Sequence, residues 1–192
     1  MKKIILISIF ILISALSAQA NEIKRIFVGN ESAKISIIAF ESLTCSYCAK
    51  FHQDVYPLLK KEYLDTGLAK IEFRHFPLDI AAFNASKVAQ CKNDGNLEIL
   101  ESLYANQQKW VKGSSIEEAN INLQKFLSKE GFNIDFESCI NNKQIEDFVL
   151  NDRIDGAKNF KVNATPTIII NNEKFEKTLN YKNLKKALEK LI

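Results

Sequence analysis

Strand chemistry occurs at two places in this chain, and a long helical stretch separates them. Residues 34 to 77 hold the runs KISIIAF and KIEFRHF, residues 161 to 192 hold ATPTIIINN, and the 83 residues from Leu78 to Phe160 read as helix throughout. A pair of strands alone is marginal in water, so neither piece can bury a sheet by itself. The reading that satisfies both is an α/β fold in which the two pieces share one sheet and an all-helical insert interrupts them. With 192 residues, 46% of them hydrophobic, there is enough apolar mass for one packed unit. No internal repeat or low-complexity linker is visible.

Residues 21 to 33 show no clear periodicity and are expected to be a lead-in without a strand. KISIIAF is nearly continuous in apolar residues, as a strand covered on both faces should be. After ESLTCSYC, apolar residues at Phe51, Val55, Leu58, Leu59 and Tyr63 recur at helical spacing; Pro57 should kink this helix and Gly67 should close it. KIEFRHF sets Ile71, Phe73 and His75 against Glu72, Arg74 and Phe76, the period of a strand, and Pro77 stops it. Within the insert, Asp79 caps a helix to Cys91, and a second helix carries Leu97, Leu100, Leu103, Tyr104 and Trp110. A capping box of Ser115 and Glu118 starts a third, ending at Gly131. A short segment holds Cys139, and a further helix presents Ile145, Phe148 and Ile154. Asn171 and Asn172 form a turn before residues 174 to 177, and a last helix shows Leu184, Leu188 and Leu191.

The first twenty residues carry Lys2 and Lys3, a thirteen-residue apolar run from Ile4 to Leu16, then Ala18 and Ala20, the order of a secretory signal. That run is shorter than the roughly 20 residues of a spanning helix, so a signal peptide over 1 to 20 is expected rather than a membrane anchor. Its removal takes the formal charge from +3 to +1, which leaves no basic excess for nucleic acid. All four cysteines, at 45, 48, 91 and 139, lie in the remainder, and an exported chain meets an oxidising compartment.

Cys45-Ser46-Tyr47-Cys48 stands where a strand hands over to a helix. There, unpaired backbone N–H groups and the positive end of the helix dipole converge on the first sulfur and favour its thiolate. Stabilising the reduced thiolate makes the disulfide a better oxidant. Cys45 is therefore expected to be the attacked and attacking sulfur, with Cys48 resolving. A purely structural disulfide is the first alternative, although so short a loop constrains little chain. A metal site is the second, because Cys45, Cys48 and His52 lie on adjacent turns, but a fourth ligand is lacking. Otherwise His52 sits near the site, where its charge, with Ser46 and Tyr47, tunes the thiolate; His75 belongs to the core edge.

Paired, Cys91 and Cys139 close 49 residues, worth roughly 4 kcal/mol by chain entropy, and read as a structural bridge. Two separate reduced core cysteines are the alternative. The Thr165-Pro166 bond is expected to be cis, letting the loop after the insert return sharply beside the cysteine turn and freeing the Thr165 backbone for an extended protein substrate.

The exported start, IIAFESLTCSYC, FRHFPL, the helical insert and VNATPTIII together resemble the DsbA-like thiol:disulfide oxidoreductases of the thioredoxin superfamily, over nearly all of residues 34 to 192. The resemblance implies a thioredoxin-like fold spanning 21–77 and 161–192 with residues 78–160 inserted. It implies Cys45 and Cys48 as the redox pair, Pro166 as a cis-proline facing them, no cofactor or metal, and reoxidation by a membrane quinone-linked partner. Family members often carry an acid six residues before the first cysteine. Ala39 stands there, and Glu41, two residues later, is read as lying on the opposite face. The Ser-Tyr dipeptide lacks the histidine of the strongest oxidants and points to a milder one, and a second bridge is not general in the family. The expected activity is a periplasmic oxidase for folding exported proteins. An isomerase or reductase of the same fold, or a zinc-binding assembly module, are the rivals. Residues 21 to 33 leave no room for an amino-terminal dimerisation module, so a monomer is expected.

Overall fold

The computed structural model describes residues 22–192; the signal peptide expected over 1 to 20 lies outside them. Among the described residues, five strands form one sheet, in the spatial order Ile26–Gly29 (β1), Ala69–His75 (β3), Ile35–Glu41 (β2), Thr167–Ile170 (β4) and Glu173–Lys174 (β5). The first of these corrects the reading of residues 21 to 33: Ile26–Gly29 is a strand, β1, antiparallel to β3 (Ala69–His75) with Ile26 opposite Phe73. Four residues give too few alternations to register as a period. Gly29 ends it at φ +106°, and a Cβ there would stand 2.6 Å from the Ala69 carbonyl oxygen, so only glycine lets the two backbones approach. β2 (Ile35–Glu41) runs parallel to β3 on one side and antiparallel to β4 (Thr167–Ile170) on the other. Its continuous apolar content is explained by two covered faces. Ile35, Ile37 and Ala39 join the main core, whereas Ile38 and Phe40 pack with Phe76, Val162 and Ile169.

After the cysteine turn the chain forms α1 (Ser46–Asp54), α2 (Tyr56–Leu59) and a π-helical turn, Lys60–Leu64. Pro57 does not kink one continuous helix. It lies in the first turn of a new one, where a missing N–H leaves no helical bond unmade. The insert supplies α3 (Ile80–Gln90), α4 (Glu98–Ala105), α5 (Gln107–Trp110), α6 (Ile116–Lys129), α7 (Phe136–Ile140) and α8 (Lys143–Asn159). The single helix expected from Leu97 to Trp110 is thus two, separated at Asn106, whose side-chain amide donates to the Ser102 carbonyl at 3.0 Å. Ser115 caps α6 as a capping box requires, but Glu118 accepts from the Ser114 amide, one residue earlier than the motif predicts. β4 leads through Asn171 and Asn172, both at positive φ, into β5, which is only Glu173–Lys174, and the chain ends on α9 (Tyr181–Leu188) with Leu191 beyond it and exposed.

Insert and sheet share one core: Leu103, Trp110 and Leu123 belong to the same apolar cluster as Ile37 and Ile71. The Sγ atoms of Cys91, which ends α3, and Cys139, in α7, are bonded at 1.98 Å. α8 buries Ile145, Val149, Asp152 and Gly156, one face at helical spacing, while Ile154 is exposed. The buried acid in that stripe explains why the apolar reading misplaced it: Asp152 pairs with Arg25 and accepts from the His75 amide.

Gly156 lets α8 close on the sheet. A Cβ would come within 2.8 Å of the Phe40 ring and 3.1 Å of the Phe76 ring. Ala gains up to about 1 kcal/mol in helix propensity over Gly, whereas overpacking a filled core costs about 1–3 kcal/mol. Gly156→Ala should therefore destabilise by about 1–2 kcal/mol in urea unfolding; a stabilised variant would show that α8 is not tightly seated.

Candidate active site

β2 ends at Glu41, the chain turns through Ser42 to Thr44, and Cys45 becomes the N-cap of α1 with extended backbone angles. Cys45 is partly exposed, while Cys48, one turn deeper, is fully buried. This difference separates their chemistry. The Cys48 thiol donates to the Cys45 sulfur, and Thr165 and the amides of Cys48 and Tyr47 add to this. Against partial burial, they hold the Cys45 thiol at about 5 instead of 9.0. Burial first, then the hydrogen bond to Cys45 and the charge of Glu41, push Cys48 far up, so it stays a neutral thiol. Ser46 and Tyr47 are both exposed, and it is the Tyr47 backbone that reaches the sulfur.

The Thr165-Pro166 bond is cis, and the Cys45 sulfur lies 3.3 Å from the Thr165 carbonyl oxygen, to which it donates only when protonated. Beside it opens a cleft of about 520 Å³ lined by Tyr47, Phe51, Pro166, Leu179 and Tyr181. Among the described residues, no three His, Cys, Asp or Glu side chains are grouped to hold a metal ion, and the Nε2 of His52 is turned to Glu41 at 2.9 Å. The arrangement suits thiol exchange: an accessible thiolate at neutral pH, a buried partner sulfur, and a backbone carbonyl facing the pair.

A family profile described as Thioredoxin matches residues 21–190. The chain belongs to the thioredoxin family. Among solved structures, α-DsbA1 of Wolbachia pipientis superposes on this thioredoxin-family chain with a TM-score of 0.77 and 28% identity, over 87% of this chain and 90% of the other. A protein-disulfide oxidoreductase of Rickettsia typhi is 26% identical over 171 residues, which are 86% of this chain and 61% of the relative. Disulfide bond formation protein D of Bacillus subtilis is 25% identical over 174 residues, covering 85% of this chain and 75% of the relative. The chain thus spans about three-fifths of the rickettsial relative's length. Within the thioredoxin family it is thus similar to DsbA-type proteins.

One expectation tied to that family needs correction. Glu41 does not lie opposite position 39. Residues two apart on a strand share a face, and Glu41 points with Ala39 toward the core, 3% exposed, where it influences Cys48 and binds His52. The other histidine, His75, is buried, contacts Gln90 at 3.2 Å, and is kept neutral by burial.

Sequence reasoning missed two residues that hold the cysteine turn of this thioredoxin-family fold. Gln107, buried in α5, donates to the carbonyls of Leu43 at 2.7 Å and Cys45 at 3.1 Å. Asp79 accepts from the Thr44 hydroxyl at 2.7 Å with one oxygen while the other caps α3. Asp79 was legible as a cap, but its second bond spans 35 residues. A glutamine inside a helix carries no local signal at all.

Proposed function

We propose that the chain is an exported thiol:disulfide oxidoreductase, working mainly as an oxidase of folding proteins in the periplasm. The observation that carries this reading is the opposite shift of the two sulfurs, Cys45 held low and Cys48 held high within one helical turn. A substrate thiolate attacks Cys45 of the disulfide and Cys48 leaves with the electron pair, taking up a proton. The second substrate thiolate then attacks the substrate's sulfur in the mixed disulfide, and Cys45 leaves as a stable thiolate. Two thiols lose two electrons and two protons; one proton ends on Cys48 and one in solvent. Because Cys45 is the better leaving group, this direction is favoured.

The cleft beside Pro166 is the proposed seat for an extended, apolar substrate segment, and Thr165 its main-chain contact. The lysine pair and apolar run at the amino terminus support export. Restoring the disulfide requires an electron acceptor, proposed to be a membrane quinone-linked partner, and the protein is proposed to act as a monomer. Equilibration of the purified protein with glutathione buffers, with thiol trapping and mass measurement, decides the direction. A potential well above the glutathione couple is expected; one well below it would make the chain a reductase.

A further inference from the structure

The charges of this chain are unevenly placed. From Glu173 to Ile192, six lysines stand against three glutamates, a local charge of +3, whereas residues 22–172 carry eighteen cations and twenty anions. Lys182, Lys186 and Lys190 are all exposed. Spaced four apart, they make one row along α9 and the turn that follows it, about 12 Å long at 1.5 Å per residue. The opposite side of α9 is seated in the core by Leu184 and Leu188, both fully buried, so the row points away from the fold. Beside it, between α9 and the β4–β5 turn, opens a groove of about 440 Å³. Phe175, Ala187 and Leu191 give the groove apolar walls, and Leu191 is 42% exposed. Lys174, Lys177, Lys186 and Lys190 stand around those walls, with Glu173 and Glu176 as the opposing charges.

Two of the six lysines are engaged within the fold. Lys185 pairs with Glu62 at 2.7 Å and Lys174 lies 3.9 Å from Glu176; among the described residues no acid pairs with Lys177, Lys182, Lys186 or Lys190. Lysine beside an edge strand discourages unwanted strand pairing, which explains Lys174 on β5. It does not explain the row on α9, because a helix offers no free strand edge. The chemistry of the row selects its partner. A single carboxylate or phosphate held at a fixed place calls for the planar, five-donor fork of arginine, and residues 173–192 contain none. Ammonium groups on flexible stems suit a diffuse, fluid layer of negative charge, and their methylenes can lie on apolar surface while the heads stay in water. Lysines set beside exposed apolar residues on a helix are the composition of elements that rest at a lipid–water boundary.

We propose that the lysine row of α9 and the groove beside it form a face that docks on a bilayer containing anionic phospholipid. The lysines meet the headgroups, and Phe175 and Leu191 enter the boundary with the acyl chains. Docking goes beyond thiol exchange and does not depend on its direction. Tyr181, at the other end of α9, lines the cleft beside Pro166. A protein docked along α9 therefore carries its cysteine cleft at the margin of the lipid-facing side.

Vesicle sedimentation tests this, with protein processed after residue 20 so that the apolar run at the amino terminus cannot itself be the anchor. Vesicles of phosphatidylcholine alone are compared with vesicles of phosphatidylcholine and phosphatidylglycerol, each at low and high salt. Binding is expected with phosphatidylglycerol present and should weaken as salt rises. A lysine near an anionic surface changes the partition coefficient about fivefold, so Lys182→Gln/Lys186→Gln/Lys190→Gln should lower it about a hundredfold, while Lys182→Arg/Lys186→Arg/Lys190→Arg should keep it. Lys109→Gln/Lys112→Gln/Lys125→Gln removes the same charge from exposed positions of the insert and should leave binding near that of the wild type. Equal losses in the two glutamine variants would mean that net charge rather than this face is read, and would overturn the proposal. So would equal binding to the two kinds of vesicle. Retention on immobilised polyglutamate without binding to either vesicle would overturn it in favour of an acidic protein partner.

Discussion

Cys45→Ser should abolish thiol exchange altogether, and in the wild-type reduced protein the thiolate absorbance should titrate with a midpoint near pH 5. Serine keeps the N-cap geometry but its hydroxyl does not ionise in this range and forms no disulfide. Cys48→Ala should behave differently. The Cys45 thiolate still attacks a disulfide supplied by a substrate, but no resolving sulfur follows, so adducts on Cys45 should accumulate and be visible by mass. If Cys48→Ala turned over normally, the two sulfurs would have been assigned the wrong roles.

The shift at Cys45 also fixes a sign. A group whose folded pKa is depressed contributes stability that is complete above its unfolded value and is lost as pH falls through the folded one. For Cys45 the window runs from about 9 down to about 5. Only the reduced protein holds this thiolate, so the stability of the reduced form relative to the oxidised form should fall as pH is lowered across that window and level off below 5. Cys48, held neutral throughout, adds nothing there. A difference that stayed constant with pH would mean that Cys45 ionises no more readily than a free thiol.

The features legible in the sequence are those written in local period or local chemistry. β2 was readable from its nearly continuous apolar run and β3 from strict alternation over seven residues, and the Asp79 and Ser115 caps because a short side chain precedes helical spacing. The cysteine turn was readable because its chemistry depends on adjacent residues of one helix. What escaped is long-range. β1 has four residues and exists by pairing with β3. Gln107 reaches back 64 residues to the Leu43 carbonyl. Glu41 was within reach, since period two alone puts it on the face of Ala39; that it meets His52 required knowing that α1 crosses the end of β2 on that face.

Removing the second bridge should have the largest effect on stability. Cys91 and Cys139 are 48 residues apart, and closing a loop of that length restricts the unfolded chain by roughly 4 kcal/mol. Stabilities of natural domains are commonly about 5–15 kcal/mol, so this is a large share. Measured in a Cys45→Ser/Cys48→Ser background, so that only one bridge is at issue, Cys91→Ala/Cys139→Ala should lower unfolding stability by roughly 4 kcal/mol and the midpoint temperature by about 8–16 °C. A loss under about 1 kcal/mol would mean that the unfolded chain is already restricted there. Reactivity should respond differently. The bridge is attached at the carboxyl end of α3, whereas Asp79, which holds Thr44 beside Cys45, caps the other end, about 16 Å away along eleven residues. In the background with Cys45 and Cys48 intact, the bridge-free protein should therefore keep its thiolate midpoint near pH 5 while folded. A raised midpoint would instead mean that the insert transmits strain to the cysteine turn through α3.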